Sequence, residues 1–180
     1  MVFRIAITQP SASADVRRNG RAVRNLMRQA ADQDVRLVHF PEGHLSGYAK
    51  EQVGDWAQVD WDAARNELRQ ILQLAAQLRL WVVLGSAHPL TWPNRPHNSL
   101  YVISDEGRIV DRYDKRFCSN TEITSFYTPG TTPGVFDVDG FRSAWPYVSR
   151  STSRCCSTST NNAAWSACCC RRTRSMRSSR

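Results

Sequence analysis

A strand-like run, Leu37-Val38-His39-Phe40, leads directly into Pro41-Glu42-Gly43. A carboxylate at the end of a buried strand can have its pKa raised enough for work as a base. A glutamate in an exposed Pro-Gly turn is the plainer account of the same residues. Lys115 closes a second run, Arg108-Ile109-Val110-Asp111-Arg112-Tyr113-Asp114. A lysine at a strand end offers a fixed cation to a developing oxyanion. An ordinary exposed lysine fits that position equally well. The remaining candidates read as structural. His39 falls inside a buried run, and His44 and His97 have no metal-ligand spacing. Trp56, Trp61, Trp81 and Trp92 are scattered and offer no stacking platform for bases. Neither a Gly-rich phosphate loop nor a G-x-S-x-G elbow is present.

The elements that would carry these residues follow from periodicity. Val2 to Gln9 reads as a strand closed by Pro10-Ser11. From Asp15 the apolar residues Val16, Val23, Leu26, Met27 and Ala30 fall at helical spacing, with arginines on a solvated face. Val35 to Phe40 is a buried strand stopped by Pro41. Asp60 or Asp62 can cap a second helix whose stripe is Leu68, Ile71, Leu72, Ala75 and Leu78. Trp81 to Gly85 is a further buried strand. Asn98 to Ser104 and Arg108 to Asp114 flank Asp105-Glu106-Gly107, a hairpin turn. Val135 to Val138 begins another strand, which Asp139-Gly140 turns towards Phe141. Strand, helix, strand, helix, strand and then a hairpin predict an α/β layered sheet with a mixed or antiparallel later part.

Taken together, these pieces resemble the nitrilase superfamily, the carbon–nitrogen hydrolases. The resemblance rests on Arg4-Ile5-Ala6-Ile7-Thr8-Gln9-Pro10, on Phe40-Pro41-Glu42 with Gly47-Tyr48, and on Gly85-Ser86. It continues through Asn98-Ser99, the Gly107 hairpin, Tyr113-Asp114-Lys115-Arg116-Phe117 and Tyr127-Thr128-Pro129-Gly130, in the family's order. It implies an α-β-β-α sandwich of which only the N-terminal half is spelled out, over residues 1–142. It also implies a Glu–Lys–Cys triad that cleaves non-peptide C–N bonds of small amides or nitriles without metal or organic cofactor. Glu42 matches the general base and Lys115 the oxyanion-stabilising cation. Glu122 matches a second glutamate that helps fix the site, although a surface capping role fits it about as well. The cysteine should follow on a strand reading like G-L-A-I-C-x-E, where this chain has Ser143-Ala144-Trp145-Pro146-Tyr147-Val148. Cys118 stands too near Lys115 in sequence to match it. The chain as written is therefore expected to be inactive. The resemblance also admits a homo-oligomer.

Composition divides at the same place. Residues 141–180 hold eight arginines and no Asp, Glu or Lys, so the whole net charge of +8 resides there and residues 1–140 are neutral. Five of the six cysteines lie there too. The Arg/Ser/Cys-rich segment 143–180 reads as a non-native, disordered tail translated out of frame. GC-leaning codons for Ser143 onward, read one base back, yield V-G-L-A-I-C-I-E, with the cysteine codon straddling Tyr147 and Val148. Two other accounts compete. Arginines could neutralise phosphates, making the chain a non-catalytic remnant or an incidental nucleic-acid binder through its basic tail, with no sequence-specific nucleic-acid partner expected. Zinc suits Cys155-Cys156 and Cys168-Cys169-Cys170 poorly, because adjacent thiols point apart where C-x₂₋₄-C would converge. A body with a single cysteine suits a reducing compartment. No signal peptide is visible and no apolar run approaches about 18 residues. A cytoplasmic protein that neither spans a membrane nor carries a disulfide framework is the expectation.

Overall fold

The structure, a computed structural model, describes residues 3–144. Nearly all of the expected tail, and the Tyr147-Val148 position with it, lies outside them.

Five strands form one sheet in the order β1 (Ile5–Ile7), β2 (Leu37–His39), β3 (Trp81–His88), β4 (His97–Ile103) and β5 (Ile109–Asp114). β1, β2 and β3 run parallel, joined by helices α1 (Val16–Ala31) and α2 (Trp61–Leu78). β3, β4 and β5 run antiparallel. A separate hairpin pairs β6 (Val135–Val138) with β7 (Phe141–Ala144). The first strand is shorter than its apolar pattern suggests, because only Ile5–Ile7 finds partners on β2.

Local chemistry starts both helices. The Asp15 carboxylate accepts the Arg17 and Arg18 amides, and Asp60 accepts Ala63 N at 2.8 Å. The two helices then cover one face of the sheet. Val23, Met27, Ile71 and Ala75 pack on Ala6, Val38, Val82, Leu84 and Ile103. Alternate residues point the other way: Leu37, Val83 and Val102 meet Phe136 and Val138 of β6. The period-two alternation of the strands thus feeds two cores, and β6–β7 begins a second layer.

One expectation is corrected here. The arginine face of α1 is not wholly solvated. Arg24 turns inward to pair with Glu67 of α2, with side chains only 14% and 9% exposed. Gly20 makes the room, since a Cβ there would stand 2.0 Å from Glu67 Oε2. Arg17 pairs with Asp60 at 2.9 Å. Helix packing brings carboxylates of α2 to these arginines, which the α1 pattern alone could not reveal.

At one end of the sheet a polar clamp ties the layers together. Arg36, just before β2, donates to both oxygens of Asp139 in the β6–β7 turn. It also donates to Asp105 in the β4–β5 turn at 2.8 Å and to the Arg79 carbonyl at 2.6 Å.

Candidate active site

At the opposite end of β2 the chain crosses over β3. Phe40 N donates to Val83 O at 2.8 Å, and Leu45 N donates to Gly85 O at 3.0 Å. Gly85 is required by this crossing: a Cβ there would lie 2.0 Å from Pro41 O and 2.8 Å from Glu42 Cα. Glu42 is thereby lifted over the end of the sheet. Gly43 adopts φ +65°, which lets the loop turn back at once.

Lys115 follows β5 and is held through its backbone on both sides. Its N–H donates to Asn98 O at 2.8 Å, and its carbonyl accepts Gly130 N at 2.9 Å. Gly130 presses so closely on the strand that a Cβ would meet Asp114 O at 2.2 Å. The Lys115 ammonium donates to Glu42 Oε1 at 2.9 Å and to Glu122 Oε1 at 3.0 Å. The three residues named from sequence therefore meet at one point.

Glu122 opens a short π-helical turn, Glu122–Phe126. Its carboxylate accepts Ser119 N at 2.6 Å while Ser119 Oγ accepts Glu122 N at 3.4 Å, a reciprocal cap. The capping reading of Glu122 thus describes its geometry, but the residue is not on the surface. Its side chain is 5% exposed and also accepts the Tyr48 hydroxyl at 3.0 Å. The turn is anchored from the other side as well. Trp56 Nε1 donates to Phe126 O at 2.6 Å, and the Tyr127 hydroxyl accepts Ala49 N at 3.3 Å.

Electrostatics follow from one ammonium between two carboxylates. Burial alone would lower the pKa of Lys115, but its hydrogen bonds to Glu42 and Glu122 outweigh that and hold it well above the ordinary lysine value. Burial alone would raise Glu122, yet the Ser119 N–H, Lys115 and Tyr48 bring it down to about 2. Burial, with the charge of Glu42 next, pushes Tyr48 up to about 12. Lys115 is thus a permanent cation and Glu122 a permanent anion at neutral pH.

Two contributors carried no assigned role in the sequence reading. Asn98 Nδ2 donates to Glu42 Oε1, and Tyr48 supports Glu122. Gly47-Tyr48 and Asn98-Ser99 both belong to the pieces that carry the family resemblance, but nothing in their local sequence assigns either residue a role.

Cys118 sits beside the cluster without joining it. Its thiol lies 3.6 Å from the Lys115 carbonyl and packs with Ala87 and Tyr127. Burial first, then the charge of Glu122, raises its pKa, which keeps the thiol protonated and weakly nucleophilic. His44 is 1% exposed, stacks on Phe40 at 6.0 Å, and has no partner for either ring nitrogen. Burial lowers its pKa to about 4. His39 is likewise lowered by burial. His97 Nδ1 meets the Thr128 carbonyl at 2.7 Å. Among the described residues no group of three His, Cys, Asp or Glu could hold a metal ion. No described helix is long and apolar enough to cross a membrane.

Solved structures of an amidase from Nesterenkonia sp. superpose on this chain with a TM-score of 0.70 at 22% identity, covering 79% of this chain and 54% of that one. A cysteine-to-alanine variant of the Nesterenkonia sp. AN1 amidase, in complex with butyramide, matches with a TM-score of 0.70, 22% identity and the same two coverages. A glutamate-to-glutamine variant of that amidase shows covalent addition of the acetamide moiety of fluoroacetamide at the active site cysteine. It matches with a TM-score of 0.70 at 21% identity, again over 79% and 54%. At these identities the likeness establishes the fold, and the chain spans about half the length of the amidases it matches. No curated protein matches the chain. The carbon-nitrogen hydrolase profile, however, matches residues 4–149, most of the sequence. The chain belongs to the carbon-nitrogen hydrolase family.

Proposed function

We propose that residues 1–142 carry the base and the cation of an enzyme that cleaves small amides through a Glu–Lys–Cys triad, and that the chain as written lacks the cysteine. The observation that supports this most directly is the Lys115 ammonium held between Glu42 and Glu122 at 2.9 and 3.0 Å. In this reading Glu42 takes the proton of an attacking thiol. The thiolate adds to the amide carbon, and Lys115 stabilises the oxyanion that forms. Glu122 orients Lys115 and keeps it charged. The proton passes to the leaving nitrogen, and water releases the acyl group with Glu42 again as base. The neighbouring amidase, with its butyramide complex and its modified cysteine, supports a short aliphatic amide as the substrate class.

In the sequence, Tyr147-Val148 stands where the family resemblance calls for the nucleophile. A phenol of pKa near 10 is a poor substitute for a thiol near 8.5, and valine has no nucleophilic atom. The test compares the chain as written with a version in which one base is restored upstream of Ser143. The restored-frame chain should hydrolyse a panel of small amides and lose that activity to iodoacetamide. Turnover of the same panel by the chain as written at a comparable rate would defeat the proposal.

A further inference from the structure

Asn98 lies on β4 in register with Ala87 and is 3% exposed. The same side of β4 otherwise carries Leu100 and Val102, which pack into the second core. A buried amide on such a side costs stability unless its polar atoms are paired. Its Nδ2 donates to Oε1 of Glu42, and Lys115 Nζ donates to that same oxygen at 2.9 Å. No described residue donates to Oε2, and the Glu42 side chain is 42% exposed. Among the described residues the carboxylate is therefore asymmetric: two donors on one oxygen and none on the other. The Asn98 carbonyl also accepts Lys115 N at 2.8 Å. One residue thus grips the backbone of the cation and the side chain of the carboxylate, and so sets their separation.

We propose that Asn98 is the positioning residue of the base, fixing Oε1 so that Oε2 is the oxygen that accepts and returns the proton. The inference rests on the reading of Glu42 as the base. An amide nitrogen can only donate, so its contact occupies Oε1 as an acceptor and leaves Oε2 to carry a proton. Lone pairs on Oε2 stay open to the reacting groups. As the S–C bond forms, the thiol proton moves to Oε2. As the C–N bond breaks, that proton moves from Oε2 to the leaving nitrogen. When water then adds to the acyl carbon its proton moves to Oε2, and it passes to the sulfur as the C–S bond breaks. Lys115 alone would hold Oε1 with one point charge about which the carboxylate can rotate. The second donor removes that freedom.

Two measurements test this, one of them independent of catalysis. In the chain as written, ¹H–¹⁵N spectra should show one Asn98 side-chain amide proton well downfield of its geminal partner, moving as acid is added. Glu42→Gln should abolish that movement. Ser104→Ala, which removes another buried polar group just after the same strand, should leave it intact. A pH-invariant Asn98 amide, or the same movement surviving in Glu42→Gln, overturns the assignment. In the restored-frame chain Asn98→Ala should lower kcat by roughly tenfold or more, with KM changed less than about threefold. The near-isosteric Asn98→Asp, which replaces the donor by a carboxylate, should lose at least as much. Ser104→Ala should lose less than about threefold. An equal loss in Ser104→Ala would show that lost stability explains the effect and would sink the proposal. A restored-frame chain with no activity would defeat the hydrolase reading instead, and the spectra would then decide on Asn98.

Discussion

Two cations in this molecule each lie between two carboxylates, at opposite ends of β2. Arg36 joins Asp105 and Asp139, and Lys115 joins Glu42 and Glu122. The first site is a clamp between turns. The guanidinium fork gives two bonds to Asp139, one to Asp105 and one to the Arg79 carbonyl. Both of its carboxylates are partly exposed, and its effect is to tie three turns together. The second site is uneven. A compact ammonium takes one oxygen from each glutamate, with Glu122 almost wholly buried and Glu42 half-exposed. A charge triplet alone thus does not mark a candidate catalytic centre. A buried carboxylate that holds the cation beside an accessible one is what separates the two.

Activity gives the widest separation. In the restored-frame chain, Lys115→Met should cost on the order of a hundredfold or more in kcat, as removal of an oxyanion donor does. Arg36→Met touches none of the site residues and should stay within about threefold. Comparable losses in the two variants, assayed on the same small amide, would break the distinction.

Stability should separate them less. In the chain as written, Lys115→Met leaves the buried Glu122 carboxylate without its cation and should cost about 3 kcal/mol. Arg36→Met exposes its partners to solvent and should cost about 1 kcal/mol. Urea unfolding measures both, and adding Glu122→Gln to Lys115→Met should recover part of the first loss.

Acid sharpens the contrast through Glu122. Unfolded, this group takes its proton near pH 4.5; folded, it does so near 2. Between those values the unfolded state holds the extra proton, so stability falls as pH is lowered from about 5 towards 2. At the other extreme the raised pKa of Lys115 makes stability fall as pH rises above the ordinary lysine range. Glu122→Gln should flatten the acid limb of a denaturation-midpoint profile from about pH 5 downwards, whereas Arg36→Met should remove only the contribution of Asp139, whose carboxyl Arg36 holds below the ordinary aspartate value and which is lost only below that value.

The smallest expected effect concerns His44, a buried ring whose nitrogens have no hydrogen-bond partner among the described residues. Its pKa falls from 6.5 to about 4 on folding, so the unfolded state gains a proton between these values and acid destabilises the chain there too. His44→Phe keeps an aromatic ring against Phe40 and removes two unpaired polar atoms. It should raise stability by about 1 kcal/mol and reduce the loss between pH 6.5 and 4, to which His39 and His88, also lowered by burial, still contribute. A lower thermal midpoint for the variant would contradict this account.

Much of the framework was readable from the amino acids alone. The apolar spacing from Asp15 announces the first helix, and Asp60 or Asp62 announces the second, because a cap is a contact between residues two or three apart; Asp60 is the one that caps. The compact apolar runs around Leu37-Val38 and Val82-Val83 announce strands, because a strand covered on both faces is apolar at every position. Phe40-Pro41-Glu42 and Tyr113-Asp114-Lys115, in order, point to the family. The resemblance also brings Lys115 to Glu42, across 73 positions. Other partners were not readable: Asn98 meets Glu42 across 56 positions, and Arg24 meets Glu67 across 43. Contacts of that range are set by strand register and helix packing, neither of which leaves a periodic trace in the chain. Glu122 shows the difference in one residue: its cap to Ser119 is local and could be anticipated. Its burial against Tyr48, 74 positions away, was decided only when the loop after β2 folded over the π-helical turn.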